Sequence, residues 1–179
     1  MRYVWLLALL TTVSSLTGCN RAMSGDIDKL LKTEDDFELC DQLYMRMLKH
    51  YGDDVDVSKC KEKDQVVILV WQASGFIGDG GFQYLFEHDF KDDPDFAKTA
   101  AAFKTIKAAK CAEAVEEALK LFPDSKPPTD IEKRLEVYQS VSEAKREAID
   151  LKFFSESKEM ATILAKYIRE NRDEFKHLK

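Results

Sequence analysis

Most of the chain places its apolar residues at helical spacing. The clearest stripe is Cys111, Ala114, Val115, Ala118, Leu119 and Phe122, at i, i+3, i+4, i+7, i+8 and i+11, which puts all six on one buried face. Met160, Ile163, Leu164, Tyr167 and Ile168 repeat that spacing and continue to Phe175 and Leu178. Cap signals set the other boundaries. Thr33-Glu34-Asp35-Asp36 leads into an expected inner face of Phe37, Cys40, Tyr44, Met47, Leu48 and Tyr51, closed by Gly52. Asp93-Pro94 offers an N-cap and a first-turn proline before Phe96, Ala100, Phe103 and Ile106. Thr129-Asp130-Ile131-Glu132 reads as a capping box after the Pro127-Pro128 break, opening one long helix with Val137, Val141, Ala144, Ala148 and Leu151 inward.

One segment departs from this period. Val66-Val67-Ile68-Leu69-Val70-Trp71 is continuous and β-branched, a composition that suits a buried strand. No second strand-like run follows Cys19 to pair with it, so a helix buried on all sides is the expectation. Four of the seven glycines (Gly75, Gly78, Gly80 and Gly81) fall in one stretch and none follows Gly81. A glycine-free second half rich in Ala, Glu, Lys and Leu completes the prediction of an all-α fold. It is expected as a single compact multi-helix domain of about six to eight helices over residues 26–179, long enough to bury a sound core.

The first residues follow a different rule. Arg2, an apolar run from Val4 to about Val13, and then small and polar residues form the three regions of a secretory signal peptide, residues 1–18. The run is shorter than the about 20 apolar residues a membrane-spanning helix needs. Leu16-Thr17-Gly18-Cys19 resembles the lipobox of bacterial lipoproteins: an aliphatic residue, two small ones, and a cysteine whose thiolate takes the lipid. Cys19 is therefore the expected lipidation site and residues 19–25 the tether. Asn20 after the cysteine favours outer-membrane sorting, so the expected location is the cell envelope, anchored and facing the periplasm. Loss of Arg2 reduces the basic count from 27 to 26 against 33 acidic residues, a formal charge of -7.

Export changes how the other cysteines read, because pairs close in an oxidising compartment. With Cys19 set aside, three remain. Cys111 sits on a core stripe, which leaves Cys40 and Cys60 as the expected disulfide, closing a loop of about 20 residues for roughly 3 kcal/mol. Two other arrangements stay open: three buried thiols, or a Cys60–Cys111 pair.

No cofactor or metal is expected. His50, His88 and His177 are scattered without metal spacing, and no GxSxG elbow supplies a serine nucleophile. Asp54-x-Asp56-x-Ser58 begins like a calcium loop, but Lys59 replaces the required glycine and Gln65 the bidentate glutamate.

The most distinctive local feature is Gly78-Asp79-Gly80-Gly81-Phe82-Gln83-Tyr84-Leu85. It lacks GxGxxG spacing and strand–helix context, so it is no dinucleotide fingerprint. Its glycines predict a sharp turn between two helices, with Phe82 plugging the core. This segment is GGFxQY-like. Ala-rich helices follow it, then Leu121-Phe122-Pro123, Pro127-Pro128-x-Asp130, Arg134, Phe153-Phe154 and Tyr167-Ile168. Together, over roughly Asp64 to Leu178, these residues resemble the DNA-mimic-protein-like family. The chain departs from the family pattern at Asp79, where asparagine is usual, and near Lys107-Ala108, where a glycine is absent. The resemblance implies an all-α domain, often a homodimer, with no established catalysis.

DNA mimicry needs surface carboxylates in place of phosphates. A domain about 40 Å across would face about 24 duplex charges, far more than -7. Acidic clusters lie at Glu34 to Asp41, Asp53 to Asp56 and Glu87 to Asp95, whereas Lys166, Arg169, Arg172, Lys176 and Lys179 make the last helix basic. Nucleic acid is not an expected partner. The leading expectation is a membrane-tethered, non-catalytic domain that binds a protein or peptide near the glycine turn. An envelope enzyme using Asp79, Glu87 and His88 is the alternative, and an acidic DNA mimic the third reading.

Overall fold

The β-branched run is helical. In the computed structural model, which describes residues 26–52, 55–90 and 93–178, it lies inside the longest helix. Among the described residues there are eight α-helices, three short 3-10 turns and no strand. The helices are α1 (Ile27–Leu30), α2 (Asp36–Tyr51), α3 (Glu62–Phe86), α4 (Ala97–Thr105), α5 (Ala109–Leu119), α6 (Ile131–Ser140), α7 (Glu143–Ser157) and α8 (Met160–Glu170). The expected signal peptide, Cys19 and the tether to residue 25 lie outside the described residues, as does Asp54. None of the helices among the described residues is long and apolar enough to cross a membrane.

Helix α3 is the centre of the domain, packing against α2, α4, α6, α7 and α8. Val67, Ile68, Leu69 and Val70 are all buried. Consecutive buried residues need neighbours on every side of a helix, and α3 has them. In this setting tertiary burial overrides β-propensity.

Caps were legible to within a turn. Asp35 Oδ1 accepts from Glu38 N at 2.8 Å, and Asp130 Oδ1 accepts from Lys133 N at 2.9 Å, so Asp130 and not Thr129 is the cap of α6. Asp93 is not the local N-cap expected from Asp93-Pro94. The chain makes a further turn through Phe96 in a left-handed conformation (φ 57°), and α4 starts at Ala97. Asp93 still caps α4 from outside, accepting from Lys98 N at 2.9 Å and from Thr99 N and Oγ1 at 2.7 and 2.6 Å.

The expected single long helix after Pro128 is broken. Val141 adopts an extended conformation (ψ 140°) and separates α6 from α7. The break resets the helical phase. Tyr138, Ile149 and Phe153 turn into the core, while Ala144 and Ala148 are exposed and Leu151 is 67% exposed. The inner face of α2 also differs, with Leu39 and Leu43 taking the place of Phe37, which is 57% exposed beside Trp71. The stripes of α5 and α8 match the expectation: every one of their residues is buried except Ile163, which is partly so.

The expected Cys40–Cys60 disulfide is corrected by the structure. Cys40 faces α8, with Sγ 3.4 Å from the Ala161 carbonyl, whereas Cys60 closes the turn before α3 and directs Sγ to the Asp56 carbonyl at 3.4 Å. Cys111 is a buried thiol, directed at the Phe153 carbonyl at 3.6 Å. Burial pushes the Cys40 thiol up to about 12 and raises that of Cys111 as well, which suits inert core residues.

Candidate functional site

The glycine turn is a kink inside α3. Gly80 (φ -159°, ψ 24°) and Gly81 (φ 69°, ψ -168°) leave the helical region, and the helix resumes at Phe82. The Gly81 conformation is one that essentially only glycine adopts. Space demands glycine too, since a Cβ there would stand 2.5 Å from Asp150 Oδ2. The resumed segment needs a cap, and α7 supplies it: Phe82 N donates to Asp150 Oδ1 at 2.9 Å. Burial raises the Asp150 pKa, partly offset by that hydrogen bond and by Arg146. Phe82 is fully buried and meets Phe153 edge-on at 5.8 Å.

Arg134 holds the far end of the same segment. It is 1% exposed; its Nε donates to the Phe86 carbonyl at 2.8 Å and its Nη2 to the His88 carbonyl at 2.9 Å. These are carbonyls that the end of α3 leaves without helical partners. The guanidinium also lies 5.3 Å from the Phe96 ring centre. Arg146 adds a third link, from Nη1 to Gln83 Oε1 at 3.2 Å, and sits over the Tyr138 ring.

An aromatic surface is built on this frame. The His88 ring stacks on Phe76 at 3.8 Å and meets Tyr84 at 4.6 Å, while Phe90 closes on Phe76 at 5.8 Å. His88 Nδ1 lies 2.7 Å from the Tyr84 carbonyl, which fixes the ring. Tyr84 is 36% exposed and Phe76 is partly buried. Asp79, Glu87 and Asp89, on the same stretch of chain, are exposed.

Placement of the expected residues divides cleanly. Gly80, Gly81 and Phe82 form the kink, Gly78 continues the ordinary helix before it, and Tyr84 and His88 form the surface. Gln83 joins Arg146 on one side and Glu87 on the other, its Nε2 donating to Glu87 Oε1 at 3.1 Å. Asp79, Glu87 and His88 are not drawn into one constellation; no hydrogen bond joins His88 to either carboxylate among the described residues. Phe76, Phe90, Asp150 and Arg146 were absent from the expected site. The signal for Phe76 was its position inside the glycine cluster, between Gly75 and Gly78. Asp150 gave none, because its partner is 68 residues away.

The family described as DMP19-like protein matches residues 58–171, well over half of the chain. The chain belongs to this family. The matched span opens in the turn before α3 and closes after α8, so it contains the kink, Asp150, Arg134 and the whole aromatic surface. No curated protein and no solved structure matches the chain. Membership in this DNA-mimic family agrees with the resemblance carried by the glycine segment and with the all-α fold.

Proposed function

We propose that this DMP19-like domain is a non-catalytic interaction module, tethered in the bacterial cell envelope through lipidated Cys19, and that it binds a protein or peptide at the α3 kink. The observation that carries the reading is the Phe76–Tyr84–His88 aromatic cluster, partly exposed on a backbone held by Arg134 and Asp150. Rigid aromatic groups supply contact area at low entropic cost. The exposed Asp79, Glu87 and Asp89 of the same stretch favour a partner with basic and apolar side chains. Residues Asn20 to Gly25 reach at most about 20 Å when extended, so the partner lies near the membrane surface.

Site-specific photocrosslinking in intact cells tests this. A crosslinker at Tyr84 should give one defined adduct, absent with a crosslinker at Leu151 and reduced when Cys19→Ala abolishes tethering. The same diffuse products from both positions would end the proposal, and a homodimer adduct would assign the surface to a second copy of the chain.

Family membership favours a second reading, in which the acidic surface occupies a DNA-binding protein. A mature charge of -7 gives it little of the field of a duplex. It requires that the adduct partner bind DNA and that duplex DNA displace this protein from it.

A further inference from the structure

Helix α2 carries two apolar faces. Leu39, Cys40, Leu43 and Met47 are buried in the core. Phe37, Tyr44, Met45 and Leu48, at i, i+7, i+8 and i+11, share a second face. There Phe37 is 57% and Met45 44% exposed, and Tyr44 and Leu48 are only partly buried. Of the other large apolar or aromatic side chains exposed among the described residues, Tyr84 belongs to the kink surface and Leu151 to α7. Trp71 of α3 extends the second face, its ring 5.4 Å from that of Phe37. The α3 residues one turn to either side of it, Val67, Ile68, Ser74 and Gly75, are uncharged.

Position says what can cover this face. Helix α2 starts at Asp36, one short helix after Asp26, where the described chain begins. Residues 20–25 span at most about 20 Å, so a lipid on Cys19 keeps α2 within reach of a bilayer. A tether that short makes the contact intramolecular, at an effective concentration of about millimolar. Tryptophan and tyrosine are the residue types that settle at the membrane–water interface. Charge narrows the lipid. Asp41 lies within the face, and Glu34, Glu38 and Lys49 flank it along α2, while Asp36 is paired with Arg169 at 2.6 Å. Three carboxylates against one ammonium disfavour anionic headgroups and suit the ammonium of a zwitterionic one.

We propose that the outward face of α2, with Trp71, docks on the zwitterionic bilayer to which the chain is tethered, Phe37 and Met45 entering the headgroup boundary. The proposal rests on the lipidation of Cys19. It uses none of the kink residues, so it stands whether or not that surface binds a protein. An apolar helix face lying in the plane of the interface is a known mode of membrane contact; here the opposite face of the same helix belongs to the core. Docking holds the domain in one orientation, where a tether alone leaves it free to turn.

Trp5 leaves with the expected signal peptide, so Trp71 is the only tryptophan of the mature chain and reports on this face alone. The mature chain is coupled through Cys19 to maleimide lipid in phosphatidylethanolamine–phosphatidylcholine vesicles, the phosphatidylcholine being brominated near the top of its chains. Trp71 emission should shift to the blue and be quenched relative to vesicles without bromine. Phe37→Ser and Met45→Ser should each lower the ratio of docked to undocked chain by about tenfold; Met45 stands two turns from Phe37, so its effect does not depend on the ring packed against Trp71. Leu151→Ser should leave quenching unchanged, and added phosphatidylglycerol should weaken it. No quenching in the coupled chain, or an equal loss in Leu151→Ser and Phe37→Ser, would overturn the proposal. Stronger quenching with phosphatidylglycerol would overturn it too, by moving the contact to the basic residues of the last helix. Lipidation has its own readout, the mass of the Cys19 peptide from cell membranes; an unmodified Cys19 would sink the tethering reading and this proposal with it.

Discussion

Helix α3 is tied down at both halves by buried polar groups, and the two ties are of different kinds. At the kink, Arg134 and Asp150 bond to backbone: the carbonyls of Phe86 and His88, and the amide of Phe82. At the start of α3, Asp64 is fully buried and bonds to side chains, accepting from Tyr51 Oη at 2.6 Å and lying 2.8 Å from His177 Nε2. His177 in turn directs Nδ1 to the Glu174 carbonyl at 2.8 Å. The difference follows from what each end lacks. An interrupted helix has backbone groups without helical partners, and these must be met from elsewhere. No side chain caps the first turn of α3; there Asp64 instead turns its carboxylate to Tyr51 and His177 and so clips α2 and the C-terminal segment together. One tie fixes the shape of a helix and the other joins separate pieces of chain.

Breaking the backbone-directed tie should cost most. Arg134→Ala leaves two buried carbonyls unmet and removes a buried charged side chain, with an expected loss of about 3–5 kcal/mol, read as a lower urea midpoint. Gly81→Ala combines a forbidden conformation with a Cβ driven against Asp150, and should cost about 3 kcal/mol. A loss below 1 kcal/mol would mean that the kink is not held as described.

The side-chain tie should yield less and more locally. His177→Ala is expected to cost about 1–3 kcal/mol, with faster hydrogen exchange confined to Arg172–Phe175 and its neighbours. Equal acceleration at the α3 kink would erase the distinction between the two ties.

Asp150 sharpens the comparison through pH. Its folded pKa is raised, chiefly by burial, so the native state binds more protons than the unfolded chain. Stability from this group is therefore full below the ordinary aspartate range and declines as pH rises through the raised folded value. Asp150→Asn retains an acceptor for Phe82 N and should flatten that decline. Parallel urea midpoints of parent and variant across pH 4 to 7 would contradict it. The smallest effect is expected at Tyr167→Phe, which deletes a buried hydroxyl lacking a partner and should change stability by about 1 kcal/mol or less, in the stabilising direction.

Much of the helical framework was legible because it rests on short-range rules. The stripes of α5 and α8, the Asp35 cap and the Gly52 stop all lie within a few residues of what they specify. The glycine cluster correctly marked the place of an irregular backbone and of Phe82. Its partners were illegible, since Asp150 and Arg134 approach from α7 and α6 and leave no local trace. The cysteines illustrate the same limit: counting and spacing suggested Cys40 with Cys60, but helix direction turned one sulfur to α8 and the other back to its own turn.

By itself, the sequence determined that the domain is all-α, where most helices begin and end, and that residues 78–85 are special. Period, caps and glycine conformations are properties of neighbouring residues, so they can be read along the chain. Tertiary structure alone decided that the break at Val141 would bring Phe153 inward. It also made a glycine turn into a capped kink in a central helix and gathered Phe76, Tyr84 and His88 into one surface. Those outcomes depend on which buried backbone groups meet which distant side chains, and that is settled only when the helices pack.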